Sequence, residues 1–455
     1  MLHQESIKYR RSIITFSIYV VNSILLSQIL ISQTLLQNKL DSLLEGFPQN
    51  GPGGVVVVLD QSKNVFSGSW GFANIEWKIP NALDVKYRIG SITKTFTALA
   101  VLQLAEKGKL SIKDKAGKWL PEAGIDDRIT IEHLLSHTSG IQAERKELEF
   151  NPGEKINYSN FGYLLLGQII AKASGEPYEQ YLRENIFRPL DMTNSGYDHN
   201  QDILSNRASG YRLGEKGFIN AYYSDMEVPG AAGGLYSTVQ DMVKFERSLY
   251  GNSIFSKSIL ESAFKPFTLN SGQKTKYGFG WITDSYRGWR EISTGGDIEG
   301  FNSFFSHFPD KKRTIIVLQN ITMQMGADWS VGSRLAHHIA DIAWGNEMEP
   351  SPVIIRLPDE KLQSLAGVYE FVNAPAEMVS AMGPRITVSV EKGNLFLQDK
   401  NTRLQVAALG DRDFIVPNLD LSIKFVTGTD NKITGLIINI MGIRELVARR
   451  VDQQQ

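Results

Sequence analysis

Residues Tyr87–Leu110 read "YRIGSITKTFTALAVLQLAEKGKL". Ser91 and Lys94 stand three apart at the head of a run that carries Phe96, Leu99 and Leu102 before Gly108 stops it. Residues at that spacing share one face of a helix, whereas on a strand they point to opposite faces. A serine hydroxyl is a poor nucleophile until a neighbouring base takes its proton, so a lysine on the same helical face could serve. The spacing alone proves little, because Ser262…Lys265, Ser271…Lys274 and Ser389…Lys392 repeat it. Ser389 sits in an alternating strand pattern, Ser271 in the turn "NSGQK", and Ser262 at a helix end that Pro266 terminates. Only Ser91 opens a long helix, where the helix dipole and unpaired N–H groups favour developing negative charge. An N-terminal cap beside a solvated lysine remains the competing reading at this point.

Outward from this stretch, the chain has the composition of a globular protein, 42% hydrophobic and 21% charged over 455 residues, which predicts more than one domain. Lys plus Arg total 48 against 49 Asp plus Glu, so no basic field favours nucleic acid. Cysteine is absent, which excludes disulfides, thiolate nucleophiles and Cys-based metal sites. None of the seven histidines makes an H-E-x-x-H pattern, and no G-x-S-x-G occurs. No metal or cofactor is therefore expected. At the N-terminus, Lys8, Arg10 and Arg11 precede the apolar "SIITFSIYVVNSILLSQILIS". This pattern reads as an export signal, and the stretch is also just long enough to span a bilayer. Residues 1–32 are expected to be a signal peptide or membrane anchor, with the protein exported to a periplasmic or extracellular compartment.

Residues 33–46 predict an amphipathic helix ended by Gly46, and "GGVVVVLDQSKNVFSGSWGFAN" predicts two strands turning near Asp60–Asn64. The unbroken Val55–Leu59 run suggests a strand covered on both faces. Helical patterns dominate to about Leu190, and strands resume from Phe279 before a helix near Val331–Trp344. Strand, helical insertion, strand indicates one α/β domain over 33–348. Pro350, Pro352 and Pro358 mark a linker at 349–358. The short alternating strands of 359–455 predict a small antiparallel barrel or sandwich, with turns at Lys392–Asn394 and Asp430–Asn431.

Two further elements bear on Ser91. "NPGEKINYSNFGYLLLGQII" sets Tyr158-Ser159-Asn160 on a turn before an apolar helix, where a phenol could relay a proton and an amide could orient a carbonyl. In "STGGDIEGFNSFF", Ser293-Thr294-Gly295-Gly296 would let a substrate lie along a strand edge, with the Gly296 N–H completing an oxyanion hole. Three such elements in this order resemble the serine β-lactamase and penicillin-binding-protein superfamily. The fuller resemblance is to its class C β-lactamase-like serine hydrolases, over roughly residues 38–345, and includes "ITIEHLLSHTSGI" and "GAAGGLYSTVQDMVKF".

That resemblance implies an antiparallel sheet flanked by helices, with acyl-enzyme chemistry. Ser91 is the implied nucleophile, Lys94 its base, Tyr158 the proton relay, and Asn160 a contact to both Lys94 and substrate. The C-terminal strands resemble the lipocalin-like barrel appended to such hydrolases. The sequence departs from the family's usual pattern at Ser293, where members usually carry Lys or His; a cation there would attract a substrate carboxylate. The implied substrate is a small molecule or short peptide with an ester, amide or β-lactam carbonyl. A D-alanyl carboxypeptidase or D-aminopeptidase, and a binding or sensor module without turnover, stay open. His137 in "SHTSG" and the adjacent His337-His338 read as structural, and Trp70, Trp77, Trp281 and Trp289 mainly as core.

Overall fold

The computed structural model describes residues 33–143, 147–250, 254–322, 331–374, 378–379, 382–400, 402–416, 421–440 and 444–451. The expected signal peptide or anchor, 1–32, lies outside them. Helix α1 covers residues 33–45, with Leu40 and Leu44 buried. Strands β1 (Gly54–Asp60) and β2 (Lys63–Trp70) form a hairpin through Gln61 and Ser62, both at positive φ.

A helical region follows, built around α2 (Thr93–Glu106), α3 (Ile131–Leu135), α4 (Asn160–Ser174) and the short α5 (Gly230–Gly233). Thr93 to Leu104 are all buried, Lys94, three threonines and Gln103 among them. The chain then returns to the sheet as β3 (Ile282–Tyr286), β4 (Trp289–Ile298), β5 (Phe301–Phe308) and β6 (Arg313–Gln319). Its order is β3-β4-β5-β6-β1-β2, and every pairing is antiparallel. Helix α6 (Gly332–Trp344) closes this part.

The Val55–Leu59 expectation is met by alternation across β1. Val55, Val57 and Leu59 pack into the core shared with α2 and α4, while Val56 and Val58 pack opposite, with α1 and α6. The sheet is thus sandwiched between two helical layers.

The C-terminal strands close an eight-stranded antiparallel barrel: β7 (Gly367–Phe371), β8 (Arg385–Glu391), β9 (Asn394–Gln398), β10 (Arg403–Ala408), β11 (Asp413–Ile415), β12 (Leu421–Thr427), β13 (Ile433–Ile440) and β14 (Arg444–Val451). Pairing of Val368 with Val451 closes the ring. Ile386 and Val388, or Ile423 and Phe425, point inward at alternate positions, the pattern that made these strands legible. Of the two anticipated forms, barrel and sandwich, the barrel is the one formed.

Candidate active site

Ser91 lies in a single 3-10 turn, Gly90–Ile92, that runs directly into α2. The sequence placed it in the helix's first turn. The structure sets it just before, because Gly90 holds a left-handed φ of 50° that no α-helical residue can share. Gly90 also leaves no room for a side chain, since a Cβ there would lie 3.0 Å from the Asp297 nitrogen. Across this contact, a Cβ on Gly296 would come within 1.9 Å of the Ile89 carbonyl oxygen. The Ser303 hydroxyl donates to that same carbonyl at 3.0 Å. Two glycines and one hydrogen bond thus press the Ser91 turn against β4.

Lys94 is fully buried, with Nζ 3.0 Å from Ser91 Oγ and 2.7 Å from the Ala232 carbonyl oxygen on α5. Its Nζ sits 4.8 Å from the Tyr158 ring centroid and 5.6 Å from that of Tyr163. Ring faces favour a cation, but burial outweighs them and lowers the amine's pKa to about 7. A neutral amine has two N–H donors and one lone pair. One donor satisfies Ala232, and the lone pair is available to the Ser91 proton. The other matches of this spacing lack such surroundings: Lys392 ends β8's turn at positive φ, and Lys274 is exposed.

Tyr158 lines the cleft beside Ser91. Its ring packs at 4.2 Å on His137, and Tyr277 meets it edge-on at 6.4 Å. His137, at φ 58°, accepts the Ser159 N–H through Nδ1 at 3.0 Å, and the Ser159 hydroxyl caps α4 by accepting from Gly162 N–H at 3.2 Å. His137 is therefore part of the scaffold that places Tyr158. The expected contact between Asn160 and Lys94 is not formed. Asn160 is the first residue of α4, its side chain is exposed, and Lys94 spends its hydrogen bonds on Ser91 and Ala232 instead.

Along β4, pairing with β3 stops at Ser293, so Thr294 onward has no strand partner on that edge among the described residues. Thr294, Gly295 and Gly296 line the cleft with Ser91, in a cavity of about 340 Å³. Ser293 does not line it: it is 5% exposed, held between Ile282 and Ser306. The site thus brings together Ser91, Lys94, Tyr158, Thr294, Gly295 and Gly296, while Ser293 is buried beside it and Asn160 stands exposed at the start of α4. It adds Tyr277, Phe304, Val331, Met378 and Ile440, which carried no motif and drew no attention as cleft residues. None of the four tryptophans considered above lines the cavity: Trp70, Trp281 and Trp289 are buried, and Trp77 is exposed. His337 stacks on Tyr286 and bonds Glu291 at 3.0 Å, and His338 is exposed.

Compared with known proteins, residues 40–330 match the Beta-lactamase family model. The chain belongs to the Beta-lactamase family. Within it, the chain is similar to a penicillin-binding protein of Bacillus subtilis, 27% identical over 437 residues, which span 87% of this chain and 94% of that protein. Among solved structures it is similar to a penicillin-binding protein from Bacillus halodurans (27% identical, TM-score 0.55, covering 61% of this chain and 94% of that one). An octameric penicillin-binding protein homologue from Pyrococcus abyssi shares the fold over 90% of this chain and 99% of its own, at 24% identity and TM-score 0.62. The match to the Beta-lactamase family makes this chain a serine hydrolase, with its reaction left to be assigned.

Proposed function

We propose that the protein is an exported serine hydrolase that forms an acyl-enzyme through Ser91 on an uncharged ester or amide carbonyl and then hydrolyses it. The observation carrying this reading is the buried Lys94 amine 3.0 Å from the Ser91 hydroxyl. Lys94 takes the Ser91 proton as Oγ bonds the carbonyl carbon, and the N–H groups of Ser91 and Gly296 hold the oxyanion. As the bond to the leaving group breaks, Tyr158 passes a proton to it and takes in return the proton that Lys94 received from Ser91. Water then attacks the acyl carbon, the acid departs, and Ser91 recovers its proton.

The relatives' names point to β-lactam binding, which needs a group that attracts a carboxylate. No Lys or Arg is among the residues described as lining the cavity, and Asp297 is its one charged member. That supports a neutral substrate over a penicillin or a peptide C-terminus. Export rests on the N-terminal charges and apolar run; among the described residues, no helix is long and apolar enough to cross a membrane.

Acylation by a fluorophosphonate, read by intact mass and peptide mapping, tests the reading. A label on Ser91 that disappears in Ser91→Ala is expected. A label on another serine, or ester turnover persisting in Ser91→Ala, would overturn it.

A further inference from the structure

The cleft beside Ser91 is walled mainly by apolar side chains from three separate parts of the chain. Ile282 and Phe304 come from the sheet, Val331 from the start of α6, and Met378 and Ile440 from the C-terminal barrel. Ile440 is the last residue of β13, paired with Leu421 and Arg444, which puts it on the barrel's rim. Met378 and Ile440 also pack on the fringe of the barrel's own core. Each is therefore anchored by the barrel and presented to the site by it.

We infer that the C-terminal barrel forms part of the substrate pocket, and that Met378 and Ile440 select a carbonyl substrate whose acyl part is a medium-length apolar chain or apolar side chain. This inference rests on Ser91 being the nucleophile. A cavity of about 340 Å³ is at the small end for a ligand pocket, large enough for one such group beside the reacting carbonyl. Among the described residues that line it, none offers an incoming carboxylate a counter-charge, while Ile282, Phe304, Val331, Met378 and Ile440 offer an apolar group a surface from which water can be displaced. Each methylene buried there should raise kcat/KM roughly fourfold until the pocket is full. The barrel's contribution is thus to specificity, while Ser91, Lys94 and Tyr158 perform the bond changes.

The experiment measures kcat/KM of the full chain on para-nitrophenyl acetate and octanoate, which share a leaving group and differ only in the acyl chain. The unaltered protein should favour octanoate. In Met378→Ala and in Ile440→Asp the octanoate-to-acetate ratio should fall roughly tenfold, the loss of one to two buried methylenes of contact. Met378→Leu, which keeps the apolar surface, should preserve the ratio. Should Ile440→Asp fail to fold, the ratio in Met378→Ala decides. A ratio unchanged in Met378→Ala, or an unaltered protein indifferent to chain length, would overturn the inference while leaving the nucleophile in place. Absence of fluorophosphonate label on Ser91 would instead overturn the proposed reaction, and this inference with it.

Discussion

Lys94 Nζ lies 3.0 Å from Ser91 Oγ with its other hydrogen bond donated to Ala232, 138 residues away in sequence, and no part of the lysine reaches solvent. A lysine in water is almost wholly protonated at neutral pH and could not accept a proton. Here burial lowers its pKa to about 7, so the neutral amine that can accept a proton is populated near neutral pH.

The rate of Ser91 acylation should therefore rise with pH through about 7 and level above it. Below that point it should fall about tenfold per unit, as protonated Lys94 loses its lone pair. Lys94→Met should cost at least about 10²-fold in kcat/KM on a neutral ester and remove this limb. The same shift predicts a stability effect. Between about pH 7 and the unfolded lysine's pKa, the unfolded chain binds a proton that the folded chain does not. Stability should then rise with pH across that window, and Lys94→Met should flatten the rise in denaturant titrations.

Gly296→Ala forces a methyl toward the Ile89 carbonyl, 1.9 Å from where it would sit. The Ser91 turn must then move off β4. Loss of about 1–3 kcal/mol in stability is expected from such overpacking, with a larger fractional loss in acylation rate than in Tm. Thermal melts and single-turnover acylation of the same preparation would check this; a variant with wild-type acylation would show that the turn does not depend on that contact.

Ser293→Lys tests whether the departure from the family at that position limits carboxylated substrates. Because Ser293 is buried between Ile282 and Ser306 and does not line the cavity, an ammonium there has no ready exit. We expect a stability loss of at least about 2 kcal/mol and no gain in penicillin acylation relative to a neutral ester. A selective gain for penicillin would mean that the lysine reaches the cleft.

Arg88, three residues before Ser91, is paired with Asp198 at 2.6 Å, and Arg207 adds a second ion pair to that carboxylate at 2.8 Å. Arg88 and Asp198 are almost wholly buried. Asp198→Ala leaves the Arg88 guanidinium inside without its partner, which should cost about 3–5 kcal/mol in urea unfolding. Asp198→Asn, which keeps hydrogen-bond acceptance and loses the charge, should cost less.

The parts of this protein legible in its sequence are those written in short-range spacing. The three-residue interval from Ser91 to Lys94, at the head of a helical run, places both groups on one side of the chain, and a period of two sorted Ile423 and Phe425 to a barrel interior. Family resemblance carried the antiparallel pairing of the sheet and the roles expected of the motif residues. Tertiary structure alone decided the rest, because burial and facing direction are set by elements distant in sequence. Lys94 becomes a usable base through Tyr158, Tyr163 and Ala232, none of which its own neighbourhood predicts. Asn160 makes no bond to Lys94 and Ser293 is buried, although each stands in the expected motif, since a motif fixes position along the chain and not side-chain contacts. Met378 and Ile440 belong to strands and turns read only as a separate barrel. They become cleft residues because folding sets that barrel's rim against Ser91, a proximity that no local periodicity encodes.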